Sequence, residues 1–245
     1  MRVGTYNIHH GVGLGGRLDL DRTARAIAAT GATLVGLQEV DRHFGERSGF
    51  ADQAAELGWR LGLEPVFGAN IDREAATAGA PRRQFGNAIL SAYPVLSWRN
   101  TLLPRPGGTE QRGLLEAVVE VDGAPVTAFA THLQHNSSSA RRAQADEVAG
   151  IVGATAGPVV LTGDLNARPD TPEVRTLTAL LVDAWAAAGE GPGATFSAVF
   201  PRARVDYVLS TPDLVARRPA VVRAYASDHR PFGTDLERVG PAGDA

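Results

Sequence analysis

Apolar positions fall in two rhythms along this chain, short runs suited to strands and a few longer stretches at helical spacing. Arg2 to Tyr6 predicts a strand buried near the N-terminus. Asp21 is placed to cap a helix reaching about Thr30, with Ala24, Ile27 and Ala28 on one face and Gly31 ending it. Leu34 to Leu37 predicts a short buried strand, and Asp52 to Leu61 a second helix with Ala54, Leu57 and Leu61 inward. Strand-like runs follow at Pro65–Ala69, Asn87–Ala92 and Val95–Leu102. Leu114–Val121 and Pro125–Thr131 flank Asp122-Gly123, a dipeptide that tolerates the positive φ angles of a tight β-hairpin. Ser138 or Ser139 caps a helix through about Ala154, Pro158–Thr162 is another buried strand, and a helix spans about Pro172–Leu181. Val205–Leu209, Ala220–Ala224 and Phe232–Leu236 close the series as strands.

Helical connections at the two ends and hairpins in the middle predict an α/β architecture, two mixed β-sheets packed face to face with helices outside. No linker, repeat or low-complexity tract divides the chain, and the Gly189–Ala194 stretch reads as a loop. The expectation is one domain over residues 1–245, with a core of about 2–237 and a tail at 238–245. Segments 40–51 and 70–85 are polar, Arg-containing connections of the kind that shape a substrate site.

Composition narrows the chemistry. The chain has no cysteine, which removes disulfides, thiol nucleophiles and cysteine-ligated zinc. All 24 basic residues are arginine, which excludes a Schiff-base lysine and a P-loop lysine and suggests a GC-rich bacterial genome. A formal net charge of −3 advertises no strongly basic surface for nucleic acid. The Arg-Arg pairs at 82–83, 141–142 and 217–218 are read as solvated surface, although those at 82–83 and 141–142 could grip a phosphate backbone. No long apolar span is present and candidate site residues begin at Asn7, so the expectation is a cytoplasmic protein, monomeric, with no leader and no transmembrane segment.

Five segments carry acids, amides and histidines at the ends of apolar runs: Thr5-Tyr6-Asn7-Ile8-His9, Leu37-Gln38-Glu39, Thr131-His132-Leu133, Gly163-Asp164-Leu165-Asn166 and Ser227-Asp228-His229-Arg230-Pro231. Oxygen ligands with histidines suit a hard cation and a phosphate, hence a metal-dependent phosphohydrolase. Glu39 after a buried strand is a natural Mg²⁺ ligand, and Asn7 can add a neutral oxygen or orient a neighbour. Asp164 and Asn166 either hold a water together or form an Asx turn, and both can be true at once. The orienting carboxylate of His229 is sought at Asp206, since the adjacent Asp228 cannot easily face it and could instead approach the metal. His132 either donates to a phosphoryl oxygen or is a satisfied core residue. His9 and His10, as neighbours on an extended chain, would point to opposite faces and so not share one ion, leaving one of them to face the cleft.

These segments jointly resemble the endonuclease/exonuclease/phosphatase superfamily, the deoxyribonuclease-I-like fold, over about residues 3–236. The stretch Asn7-Ile8-His9-His10-Gly11 is similar to its bacterial metal-dependent hydrolase branch. The resemblance implies a four-layer α/β sandwich and Mg²⁺- or Mn²⁺-dependent cleavage of phosphoesters. It implies Glu39 and Asn7 at the metal with Asp228 near it, and Asp164 and Asn166 handling water or phosphate. His229 with Asp206 would be the His–Asp pair, and His132 a phosphate contact. Arg112 and Asn87 also look like recurrent elements: Arg112 binds phosphate or braces the acids, and Asn87 serves the site or only satisfies backbone groups. The favoured substrate is a small-molecule or lipid-headgroup phosphoester, cleaved as a phosphodiester. A nuclease comes second, and a catalytically silent binding module third.

Overall fold

The central strands of this protein are buried on both faces and must be apolar on both, and that is how they read. The computed structural model describes residues 1–239. Its first half contains β1 (Arg2–Asn7), α1 (Leu20–Ala28), β2 (Leu34–Arg42), α2 (Gln53–Leu61), β3 (Glu64–Arg73), β4 (Arg83–Ser91) and β5 (Val95–Leu102). Then come β6 (Gly113–Val121), β7 (Ala124–His132), α3 (Ser138–Gly153), β8 (Val159–Asp164), α4 (Pro172–Thr178) and β9 (Val182–Asp183). The chain closes with α5 (Ala184–Ala188), β10 (Asp206–Ser210), β11 (Leu214–Val221) and β12 (Phe232–Arg238).

The strands form two six-stranded sheets, ordered β11-β12-β1-β2-β4-β3 and β5-β6-β7-β8-β10-β9. Each sheet has one parallel pair at its centre, β1/β2 in one and β7/β8 in the other, and the remaining ladders are antiparallel. A parallel pair needs a crossover, and α1 and α3 supply the two. Val3, Leu34 and Ile89 of the first sheet meet Ala117, Val160 and Val208 of the second in the central core. On the outer face of the first sheet, Tyr6, Val35 and Leu37 pack under Leu20, Ile27 and Leu57 of α1 and α2. Phe129, Leu161 and Leu209 do the same beneath Val148, Val152 and Leu177 of α3 and α4. This is the expected four-layer α/β sandwich, and burial on both faces explains the unbroken apolar runs.

The sheets approach closely near the site: a Cβ at Gly36 would collide with Thr162 of the facing sheet. The predicted hairpin is present, with Asp122 at φ 51° and Gly123 at φ 77°. Three helix starts differ in detail from the sequence reading. Asp19, not Asp21, caps α1 by accepting from the Arg22 amide at 2.8 Å. Asp21 lies in the first turn and pairs with Arg60. Ser137, rather than Ser138 or Ser139, caps α3 through the Ala140 amide. In both cases the cap is the last extended residue, because only from there does the side chain reach the free amides. Asp52 is the cap of α2 rather than its first residue. The last strand runs to Arg238, one residue into the predicted tail, and residues 240–245 of that tail lie outside the described residues. No helix among the described residues is long and apolar enough to cross a membrane.

Candidate active site

Two parallel pairs facing each other bring their C-terminal ends to one edge of the sandwich, and the polar segments sit there. In the second sheet, His132, Asp164 and Asp206 occupy one level on three adjacent strands, His132 paired with Asp164 and Asp164 with Asp206. In the first sheet Asn7 is level with Gln38, one residue before Glu39. The register of β2 on β4 shifts between Leu37 and Val40, and Glu39 within this bulge has φ 57°. A bulge re-aims one side chain without disturbing the strand around it, and here it turns Glu39 into the cleft. Among the described residues, four of the eight non-glycine residues at positive φ are His9, His10, Glu39 and Asn166, so backbone strain gathers at this edge.

Asn7 joins the two sheets. Its Nδ2 donates to Glu39 Oε1 and to Asp164 Oδ2, both at 3.0 Å, while its Oδ1 accepts from the His9 amide. Of the two roles expected of Asn7, neutral oxygen ligand or orienter of a neighbour, this geometry matches the second: its oxygen is turned away from Glu39 and its amide bridges two carboxylates. Asp164 also accepts from the Asn166 amide at 2.9 Å, which is the anticipated Asx turn. Its Oδ2 lies 3.4 Å from His132 Nε2 and 3.6 Å from His229 Nε2. His229 Nδ1 meets Asp206 Oδ2 at 2.9 Å, so the expected His–Asp pair is formed. Ser227 donates to the Asn7 carbonyl at 2.7 Å and ties the last motif to the first.

The two histidines have opposite electrostatics. Burial, with the Arg112 charge beside it, holds His132 well below its ordinary value, so it is neutral. Arg112 is buried at 3% exposure and donates from a terminal nitrogen to His132 Nδ1 at 3.0 Å. A guanidinium cannot accept, so Nδ1 is the lone-pair nitrogen and Nε2 carries the proton towards Asp164. Asn166 Nδ2 also lies 2.9 Å from Nε2 and donates to the Leu133 carbonyl at 3.1 Å. Burial alone would lower His229, but the carboxylates of Asp206 and Asp164 outweigh it and push the ring up to about 10. Burial, assisted by the Asp206 charge, pushes the Asp164 carboxyl up, against His229 and Asn7. Burial would raise Glu39 too, but the polar groups around it, His10 first among them, hold it below the usual carboxylate range.

Several sequence expectations change. Arg112 braces: it ion-pairs with Glu110 at 2.9 Å, approaches Gln134 and fixes His132. Asn87 is 1% exposed, and its amide donates to the Gly113 and Ala130 carbonyls of the opposite sheet, so it staples the sandwich rather than facing a ligand. Asp228 Oδ1 lies 3.1 Å from Ser227 Oγ, whose proton goes to the Asn7 carbonyl, and falls outside both groups of metal-ligating side chains. His9 and His10 do converge. They leave the strand into a 3₁₀ turn, both at positive φ, so strand alternation no longer applies. A ligating atom from each, with one from Glu39, lies within 4.8 Å of the others. A second such group is Asp164, Asp206 and His229.

These donors fit a divalent cation: two carboxylate-bearing groups face each other, and the buried His10 Nδ1 and Asp206 Oδ1 have no hydrogen-bond partner. Sequence reasoning overlooked Thr195, whose hydroxyl accepts from the Val205 and Asp206 amides, and Phe196, whose ring lies 4.9 Å from that of His229. Neither had a signal, because the loop around them carries no periodicity. A cavity of about 990 Å³ is lined by Arg42, Arg73, Trp98, Arg105 and Glu110 among others. It draws on both polar connections singled out in the sequence, and Glu110 links it through Arg112 to His132.

Comparison with known proteins agrees with this geometry. The family model described as Endonuclease/Exonuclease/phosphatase family matches residues 4–229. A solved endonuclease/exonuclease/phosphatase from Beutenbergia cavernae is 30% identical, with a TM-score of 0.83 over 100% of this chain and 73% of that one. The mannosyl-6-phosphatase Bt3783 of Bacteroides thetaiotaomicron shares 16% identity and a TM-score of 0.77, covering 97% of this chain and 99% of its own. The human Nocturnin catalytic domain with bound sulfate shares 20% identity and a TM-score of 0.73, covering 98% and 93%. No protein of curated function matches at the level of sequence. The chain belongs to the endonuclease/exonuclease/phosphatase family and is a phosphoester hydrolase.

Proposed function

We propose that this protein is a divalent-metal-dependent phosphodiesterase, using Mg²⁺ or Mn²⁺, that acts on a small-molecule or lipid-headgroup phosphoester. The observation that carries the reading is the pairing of two differently charged histidines around Asp164. His229 keeps its Nδ1 proton on Asp206 and offers Nε2–H to a phosphoryl or leaving oxygen. His132, held in one tautomer by Arg112, offers a second N–H from the other side. Asp164, whose carboxyl is raised by burial, suits the orientation and deprotonation of the attacking water, and Asn166 fixes its turn. Glu39, with the groups beside it, would hold the cation, which when bound neutralises charge on the phosphoryl oxygens.

Two observations support a small or lipidic substrate over nucleic acid. Arg82 is paired with Asp72 and Glu74, each at 2.8 Å, and Arg141 with Glu173 at 2.7 Å, so these arginines are not free to collect backbone phosphates. Beside His229, the loop exposes Phe196 (40%), Val199 (45%) and Phe200 (73%), an apolar rim suited to an acyl-bearing or aromatic leaving group. The test compares hydrolysis of bis(4-nitrophenyl) phosphate, 4-nitrophenyl phosphate, phosphatidyl headgroup diesters in mixed micelles, and plasmid nicking at matched enzyme. The account expects diester cleavage to exceed monoester cleavage and nicking to be weak. Efficient nicking with no action on the small diesters would reverse it in favour of a nuclease.

A further inference from the structure

We infer that His9 and His10 complete the Glu39 cation site as imidazole ligands and bias it towards borderline divalent ions such as Co²⁺ over Mg²⁺. This rests on the metal-dependent reading of the same site, and it is tested by metal binding, so its failure is distinct from a failure of hydrolysis.

Asn7 presents Nδ2 to Glu39 Oε1 at 3.0 Å, and its oxygen is engaged by the His9 amide. An amide nitrogen cannot ligate, so Asn7 presents no oxygen to a cation at Glu39. The atoms that do gather with Glu39 are imidazole nitrogens, all within 4.8 Å of one another. His10 Nδ1 stands 3.9 Å from Glu39 Oε2, too far for a hydrogen bond, and is buried without a partner. An unpartnered, buried ring nitrogen aimed at a carboxylate is a ready ligand. His9 Nδ1 lies 3.1 Å from the Val12 carbonyl, and since a carbonyl only accepts, that nitrogen carries the ring proton. The lone pair is thereby left on Nε2. A hydrogen bond from the far ring nitrogen to a backbone carbonyl is how metal-ligating histidines are commonly held in the right tautomer.

Local sequence makes this arrangement possible. His9 and His10 both sit at positive φ, at 46° and 43°, and the rings pack edge to face at 4.4 Å. Gln53 accommodates the turn by donating to the His10 carbonyl at 2.7 Å, and its oxygen accepts from the Asp41 amide. The turn is thus braced from α2 and from the strand that carries Glu39. Imidazole donors favour later first-row ions, while magnesium demands oxygen and retains water, so two imidazoles change selectivity more than they change charge.

The test uses the whole chain, stripped of metal, at fixed pH. Calorimetry and visible absorption measure Co²⁺ binding, calorimetry measures Mg²⁺ binding, and pulsed EPR on the Mn²⁺-loaded protein reads ¹⁴N coupling from ligated imidazole. His9→Ala and His10→Ala should each weaken Co²⁺ binding by about tenfold or more, with Mg²⁺ affinity changed by less than about threefold. Wild-type protein should show ¹⁴N coupling, which the double variant should lose. The EPR arm needs no variant to fold, so a misfolded substitution does not rescue the idea. Absence of nitrogen coupling in wild type would overturn it. So would coupling that persists in a folded double variant, which would assign the nitrogen to His229, or Co²⁺ and Mg²⁺ affinities that fall in parallel.

Discussion

The two histidine arms of the cleft flank the same carboxylate, Asp164, yet differ in charge, one neutral and the other protonated. On one arm His132 lies against a guanidinium, 3.0 Å from Arg112, and stays neutral. On the other His229 lies against carboxylates, 2.9 Å from Asp206 and 3.6 Å from Asp164, and holds its proton. Both rings are buried, so desolvation acts on them alike, and the neighbour decides the sign. The lesson is that residue type sets what an imidazole can do and the partner sets which it does. A neutral donor can orient a phosphate at either end of a reaction, whereas a protonated one can also surrender a proton to a leaving oxygen.

The largest effect comes from removing what both arms serve. Chelator should abolish hydrolysis of bis(4-nitrophenyl) phosphate, with return on adding Mg²⁺ or Mn²⁺, and Glu39→Gln should lower turnover severely. Full activity in chelator would sink the metal reading. Next in size is the neutral arm: His132→Gln should lower turnover by about 10²-fold, no more than the loss at His229, because it removes one oriented donor and no proton. Arg112→Met should weaken activity through that ring, and a steeper loss than His132→Gln would show that the guanidinium touches phosphate itself.

Two smaller effects concern stability. Asn87→Ala removes buried bonds to the Gly113 and Ala130 carbonyls and should cost about 1–3 kcal/mol in unfolding free energy. Turnover of the folded fraction should remain near wild type, in contrast to substitutions in either arm. The pH dependence sharpens the charge difference. The folded pKa of His229, about 10, lies above the ordinary value of 6.5, so the stability it contributes is fully present below about pH 6.5 and is lost as pH rises through about 10. In chelator, the melting temperature of wild type should fall between pH 7 and 10 more steeply than that of His229→Gln. Parallel curves would remove the charged imidazole from the account.

Much of this was legible because the strand ends are marked by residues that strands do not otherwise favour. Gly163-Asp164-Leu165-Asn166 and Ser227-Asp228-His229 stand out against apolar runs, and Asp206 was reachable by asking what could orient His229. Helix caps slipped by one or two residues because Asp19 and Asp21, or Ser137 to Ser139, are chemically interchangeable until the backbone turns. His9 and His10 were misread because alternation assumes a strand, and the chain had already left it at Ile8. The roles of Asn7 and Asn87 depend on which atom of an amide faces which neighbour, and only the facing sheet decides that.

A double-mutant cycle measures whether His229 works as a unit with Asp206. Turnover and melting temperature are recorded on His229→Ala, Asp206→Asn and the double variant. The account predicts a loss of about 10²-fold or more for His229→Ala, a smaller loss for Asp206→Asn, and a double variant no worse than His229→Ala alone. Additive losses in the double variant, or near-normal turnover in a folded His229→Ala, would contradict it.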